Sequence, residues 1–183
     1  MSQHKQKPPK HDDPLLQIQG FWMKYQKLLM IGLIAIVVII GGWYFYETQV
    51  VQPKEEQAMN AIYKAQENFA MDSINAALNG NGQDKGFLYI INNYGSTKPG
   101  KLSKYYAGIC YLKLQDFNKA VEYLSGYHTD ALQIQMMAYG SLADAYSELG
   151  KNDEAIANYK KAASTFPSDE LNSSEYLFRA GLK

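Results

Sequence analysis

The chain has 183 residues, room for one ordinary domain and an additional segment but not for a large multidomain enzyme. Hydrophobic residues make up 46% and charged residues 20%, which excludes both wholesale disorder and a polytopic membrane protein. The formal net charge of zero hides a split: through Lys27 five lysines outweigh Asp12 and Asp13 to give plus 3, and the remainder carries 13 basic against 16 acidic residues, or minus 3. No basic run interleaves with aromatics, so nucleic acid is not an expected partner. The single Cys110 excludes an internal disulfide framework.

The first 27 residues read as a basic, disordered leader, since MSQHKQKPPKHDDP has too little apolar content to offset chain entropy. His4, His11, Asp12 and Asp13 are metal-ligand types, but nothing fixes their geometry, so solvated tail residues are expected. From Leu28 to Tyr46 follow 19 residues without a charge, LLMIGLIAIVVIIGGWYFY. As a helix at ~1.5 Å per residue this roughly matches a ~30 Å hydrocarbon core. The run is apolar all round rather than on one stripe. Trp22 and Tyr25 before it, and Trp43, Tyr44 and Tyr46 at its end, suit two headgroup layers. The leader is too long and Gly41-Gly42-Trp43 too poor a cleavage site for a removed signal peptide, so an uncleaved anchor is expected. Lys5, Lys7, Lys10, Lys24 and Lys27 precede the span, whereas only Lys54 and Lys64 follow closely. The positive-inside rule therefore places the N-terminus in the cytoplasm and residues 54–183 on the far side of a single-pass span through the bilayer.

Past Pro53, Ala58, Ile62, Ala65 and Phe69 lie at offsets 0, 4, 7 and 11, one face of a helix. Gly80-Asn81-Gly82 breaks the pattern, and a shorter helix carrying Phe87, Leu88, Ile90 and Ile91 is predicted to stop at Tyr94-Gly95 and Pro99-Gly100. No alternation at period two occurs outside the apolar run, so strands are not expected.

Self-similarity carries the strongest signal. Tyr139, Leu142, Ala143, Tyr146, Gly150, Ala155, Tyr159, Ala162 and Pro167 have the spacings of the tetratricopeptide repeat pattern. SELGKNDEAIANYKKA resembles that family closely. Thirty-five residues earlier, one more than the usual 34, a weaker copy shows Ala107, Gly108, Tyr111, Phe117, Ala120 and Leu124. There Lys104 stands for the aromatic, Gln115 for the turn glycine and Tyr127 for the small residue, which leaves the helix angles less defined. A third copy is read with Leu177, Ala180 and Gly181 in the places of Tyr139, Leu142 and Ala143, and is expected to be truncated. The fold class is thus all-α: a membrane helix at 28–46, then a helical-hairpin solenoid over 54–183. The solenoid comprises a degenerate repeat at 54–100, repeats at 101–127 and 136–167, and the start of another at 171–183.

The whole arrangement, including FWMKYQKLLMIGLIAIVVIIGGWYFY and FLYIINNYGSTKPGKLSKYYAGICYLKLQDFNKAVEYL, resembles bacterial single-pass tetratricopeptide proteins of the ancillary Sec-translocon subunit (YfgM-like) type. The resemblance implies an inner-membrane protein with a periplasmic helical domain. Its implied partners are the Sec translocon, nascent secretory chains and periplasmic chaperones. The alternative is a structural adaptor for another envelope machine, in cell division or outer-membrane assembly. Mapped from the family, the partner-binding groove comprises Leu102, Tyr105, Ile109 and Leu112, then Met137, Gly140, Asp144, Ser147 and Glu148, then Phe178. Such a groove runs from apolar to acidic and suits a segment with apolar anchors and a basic end; the alternative is that Leu102, Ile109 and Leu112 simply pack on neighbouring helices.

No catalytic constellation is legible, and neither an enzyme activity nor a small-molecule substrate, cofactor or metal is expected. His128 lies in the loop-like GYHTD stretch, far in sequence from Cys110. Cys110 occupies the place equivalent to Ala145, a small packing position. Asp153-Glu154 and Asp169-Glu170 sit near predicted helix starts, where carboxylates complement the backbone dipole. Asn79-Gly80-Asn81-Gly82 lacks the Lys-Ser or Lys-Thr of a phosphate loop.

Overall fold

The structure, a computed structural model, describes residues 14–183, with side chains described from Trp22 onward. The first helix, α1, runs Pro14–Tyr46. Proline fits the opening turn, where its missing N–H leaves no bond unmade. The helix therefore starts well before Leu28, and residues 14–27 are not the irregular leader expected of them. Once the apolar run is helical, each residue added at its N-terminal side fixes one residue for one hydrogen bond, and no proline interrupts the extension. The expectation for residues 1–13, His4, His11, Asp12 and Asp13 included, lies outside the described residues.

Every side chain from Leu28 to Tyr46 is exposed, on all sides of the helix. Apolar surface left in water costs ~25 cal/mol per Å², a cost absent in lipid. This helix is long and apolar enough to cross a membrane. A π-helical turn, Glu47–Val51, follows it, and the Thr48 hydroxyl donates to the carbonyls of Tyr44 and Phe45 at 3.0 and 3.3 Å. The chain divides into two units, one through Gln49 and the other Val50–Lys183.

The second unit contains α2 (Gln52–Ala70), α3 (Ile74–Asn79), α4 (Phe87–Tyr94), α5 (Lys98–Lys113), α6 (Phe117–Ser125), α7 (Leu132–Glu148), α8 (Asn152–Thr165) and α9 (Glu170–Gly181). No strand forms among the described residues; Gly80 and Lys85 make an isolated bridge. Ala58, Ile62 and Ala65 are buried along α2 as their spacing predicts. Six-residue α3 carries too little sequence to show a period, and it went unpredicted. Pro99-Gly100 opens α5 instead of closing a helix. Thr97 caps that helix by accepting from the Gly100 N–H at 3.0 Å, and its own hydroxyl donates to the Tyr94 carbonyl at 2.6 Å. With the cap in place, a proline in the first turn is compatible with the helix.

Short connections make consecutive helices antiparallel neighbours, and each hairpin packs on the next: α5 touches α2, α3, α4, α6 and α7, while α9 packs on α8. The α5–α6 and α7–α8 turns are built alike. Asp116 N–H donates to the Tyr111 carbonyl and Lys151 N–H to that of Tyr146, each at 2.9 Å. Gln115 holds φ +61°, the left-handed conformation that Gly150 adopts at φ +71° one repeat later. The missing glycine thus leaves the turn geometry unchanged and adds strain.

One core cluster joins Ile62, Phe87, Ile90, Ala107, Cys110, Tyr111, Leu124 and Leu142, spanning α2 to α7. Phe87 stacks on Tyr106 with centroids 5.0 Å apart, and Phe69 meets both rings edge-on. A smaller cluster of Ala143, Ala155, Tyr159 and Ala180 joins α7, α8 and α9. Gly108 lies so close to the Leu124 side chain that a β-carbon there would overlap it. The buried, fully covered Ala143 takes the same place in the next hairpin.

The last helix corrects the sequence reading. Its covered residues are Ser173, Tyr176 and Ala180, which follow Tyr139, Leu142 and Tyr146 by the ordinary 34 residues. Leu177 accordingly takes the place of Gly108 and Ala143, not of Tyr139. The periodic landmarks misled because Leu177, Ala180 and Gly181 repeat the spacing of Tyr139, Leu142 and Ala143.

Candidate partner-binding groove

The face of α5 that carries Leu102, Tyr105, Ile109 and Leu112 is half-buried, and all four side chains pack against the main core cluster. Tyr105 shows how far this packing goes. Its ring meets Tyr106 and Tyr127 at centroid distances of 5.5 and 5.7 Å, and burial pushes its hydroxyl pKa up to about 12. These residues therefore serve the fold and present only their outer edges.

On α7, Met137 and Ser147 are half-buried and Glu148 is exposed. Gly140 is covered: a β-carbon there would overlap the Tyr176 ring from α9. Asp144 is engaged by its own chain. Its carboxylate accepts from the Tyr159 hydroxyl of α8 and from Arg179 Nη1 of α9 at 3.1 Å, while Arg179 Nε reaches Glu175 at 2.9 Å. Burial first, and then the hydrogen bond to Asp144, push the Tyr159 hydroxyl well above the ordinary tyrosine range. The Arg179 guanidinium is likewise held charged, first by its bond to Glu175. Asp144 is thus paired with an arginine of its own chain, which it shares with Glu175.

Three of the expected groove residues share one cleft. Leu112, Asp144 and Glu148 line a space of about 470 Å³ together with Lys113, Gln115 and Phe117. Leu102 belongs to another, of about 380 Å³, walled by Lys98, Lys101, Tyr127, His128, Thr129, Asp130 and Ile134. Phe178 lines neither and stands exposed on α9. Sequence reasoning missed Tyr176, Arg179 and the bond of the landmark Tyr159 to Asp144. Counting 34 residues from Leu142 to Tyr176 would have placed α9 against α7 and brought Arg179 within reach of Asp144.

Outside the groove, the other residues singled out in the sequence take these places. Cys110 is wholly covered, and burial pushes its thiol up to about 12, so it stays protonated. His128 is exposed in the α6–α7 connection. Asp169 caps α9 by accepting from the Asn172 N–H at 3.2 Å, and Asp153, Glu154 and Glu170 lie in first turns. The Asn81 carboxamide oxygen accepts from the N–H groups of Gln83 and Asp84, closing the loop after α3. Among the described residues no group of acidic, histidine or cysteine side chains could hold a metal ion.

Comparison with known families bears on the hairpins directly. Residues 103–129 and residues 138–169 each match a family model described as tetratricopeptide repeat. The chain carries two tetratricopeptide repeats. No curated protein and no solved structure matches it. The first matched repeat is α5 with α6, and the second is α7 with α8. Repeats of this kind are protein–protein interaction scaffolds, in which stacked helix pairs display a surface and a partner reads it.

Proposed function

We propose that the chain is a membrane-anchored interaction scaffold whose repeat unit works on the periplasmic side of a bacterial inner membrane, as an accessory subunit beside the Sec translocon. The observation that carries this reading is the joining of an all-round apolar helix, exposed along its whole charge-free length, to two tetratricopeptide repeats in one chain. The lysine excess before that helix supports the sidedness, and the sequence resemblance supports the translocon.

Binding in this reading is an equilibrium event without turnover. The outer edges of Leu102, Tyr105, Ile109 and Leu112 offer apolar contact to an extended segment of a secreted chain or to a chaperone. Much of that surface is already committed to the core, so affinity per contact is modest. The anchor compensates by raising the local concentration of the scaffold near its partners.

Photocrosslinking amino acids at Leu112 and Met137 in intact cells test the assignment. Recovery of translocon subunits, nascent secretory chains or periplasmic chaperones supports it. Recovery of cell-division or outer-membrane assembly proteins in their place would transfer the scaffold to another envelope machine.

A further inference from the structure

The cleft that holds Leu102 adjoins a second hollow of about 240 Å³, and the two share Lys101, Tyr127 and His128. Lys98, Lys101, Lys104 and His128 thus edge one depression between the first half of α5 and the α6–α7 connection. Among the described residues Asp130 is the single carboxylate in its lining. Helix α5 itself carries no acidic residue, although residues 50–183 as a whole have 13 basic against 15 acidic residues, a net minus 2. Glu55 of α2 reaches the start of α5, where its carboxylate accepts from the Lys98 backbone N–H at 3.0 Å.

The cations of this depression are unpaired. Lys64, Lys113 and Lys119 each meet a carboxylate elsewhere in the second unit. The ammonium groups of Lys98, Lys101 and Lys104 and the His128 ring have no such partner among the described residues. A further donor lies behind Thr129. The Gln135 side chain, 7% exposed, accepts from the Thr129 N–H at 2.8 Å and leaves its own Nε2 without an acceptor. Unmet donors outnumber acceptors here, so the fitting ligand is an oxygen-rich anion.

The course of the chain decides which anion. The bond of Glu55 to Lys98, and that of the Tyr94 hydroxyl to Gln57 at 3.2 Å, tie the start of α5 to the start of α2. Glu55 follows Tyr46, the end of the apolar run, by nine residues. That length of chain spans at most roughly 30 Å, however the two units are turned. We infer that the depression seats phosphate groups of anionic phospholipids in the membrane that anchors the chain. The inference rests on the anchored reading and is independent of the translocon. Lysines close to an anionic leaflet are attracted to it one by one, and the attraction fades within a Debye length. An acidic peptide would meet the same donors, but the tether concentrates lipid at this site and not peptide.

Amide exchange of the full-length chain in nanodiscs tests this. In discs of equal parts phosphatidylcholine and phosphatidylglycerol, residues 98–104 and 126–131 should exchange about fivefold more slowly than in discs of phosphatidylcholine alone. Lys98→Gln, Lys101→Gln and Lys104→Gln together should abolish that difference, and Asp130→Asn should enlarge it. Exchange in α8 should be the same in both discs. Equal exchange of 98–104 and 126–131 in the two discs would overturn the inference, as would a difference that survives the triple substitution. Equal protection in phosphatidylcholine discs on adding inorganic phosphate or polyglutamate would also overturn it, since the site would then take soluble anions. A chain that does not stay with the discs would sink the anchored reading itself and this inference with it.

Discussion

The two matched repeats solve one geometric problem with different side chains. The second, α7 with α8, is built almost to pattern: Gly150 turns the chain, Ala143 and Ala155 bring the helices together, and Tyr159 fills the space and bonds Asp144. The first, α5 with α6, lacks the turn glycine and the aromatic at Lys104, yet its turn has the same hydrogen bonds and the same left-handed residue. It compensates by going further at the point of closest approach, with Gly108 against Leu124, and by joining an aromatic cluster with Phe69, Phe87 and Tyr106. What the repeat requires is a positive φ at one position and little volume at another; the residue types that usually provide them are negotiable.

The sharpest way to break this symmetry is Leu124→Ala. Leu124 is almost wholly covered and faces Gly108, which has no side chain to move into the space. The loss should be ~3–5 kcal/mol, read from chemical denaturation, whereas Ile156→Ala on half-buried α8 surface should cost less than half as much. Equal losses would show that the first repeat does not depend on that contact. Next come reciprocal exchanges at the turns. Gln115→Gly should stabilise the fold by ~1 kcal/mol and Gly150→Ala destabilise it by ~1–2 kcal/mol, because only the second introduces a β-carbon at positive φ. A loss of stability in Gln115→Gly would contradict the strain assigned to that turn.

A smaller effect separates the repeats electrostatically. Asp144→Asn should cost ~0.5–1.5 kcal/mol and loosen α9, since a half-exposed ion pair and a tyrosine hydrogen bond are weakened together. Amide exchange in residues 170–181 should accelerate, and exchange in α5 should not. A further effect is alkaline. Tyr105 and Cys110 keep their protons in the folded chain up to about 12, while in the unfolded chain both ionise nearer 9 to 10. Above that unfolded range the unfolded state binds fewer protons, so stability should fall as pH rises toward 12. A melting temperature unchanged from pH 8 to pH 11 would mean these groups are less enclosed than the structure has them.

Much of this was legible in the sequence. The apolar run, the helical face of Ala58, Ile62 and Ala65, and the landmarks of the second repeat each follow from a local period, and periods survive in a linear text. What was not legible depended on contacts across helices. The extension of α1 back to Pro14 has no period of its own, and α3 is shorter than two turns. Helix α9, the start of the third copy, was placed four residues out because Leu177, Ala180 and Gly181 repeat a landmark spacing; the covering of Gly140 by Tyr176 decides its position instead. Of the groove, the half-buried face of α5 was readable, and the claim of Arg179 on Asp144 was not, since 35 residues separate them.

The account stands on a repeat unit held outside the cytoplasm by one membrane helix, and protease accessibility tests that most directly. Protease added to spheroplasts with intact inner membranes should remove residues 50–183 and leave a small fragment that retains the lysine-rich N-terminus. A repeat unit that stays intact until the membrane is permeabilised, in a protein that still sediments with the membrane, would contradict the account.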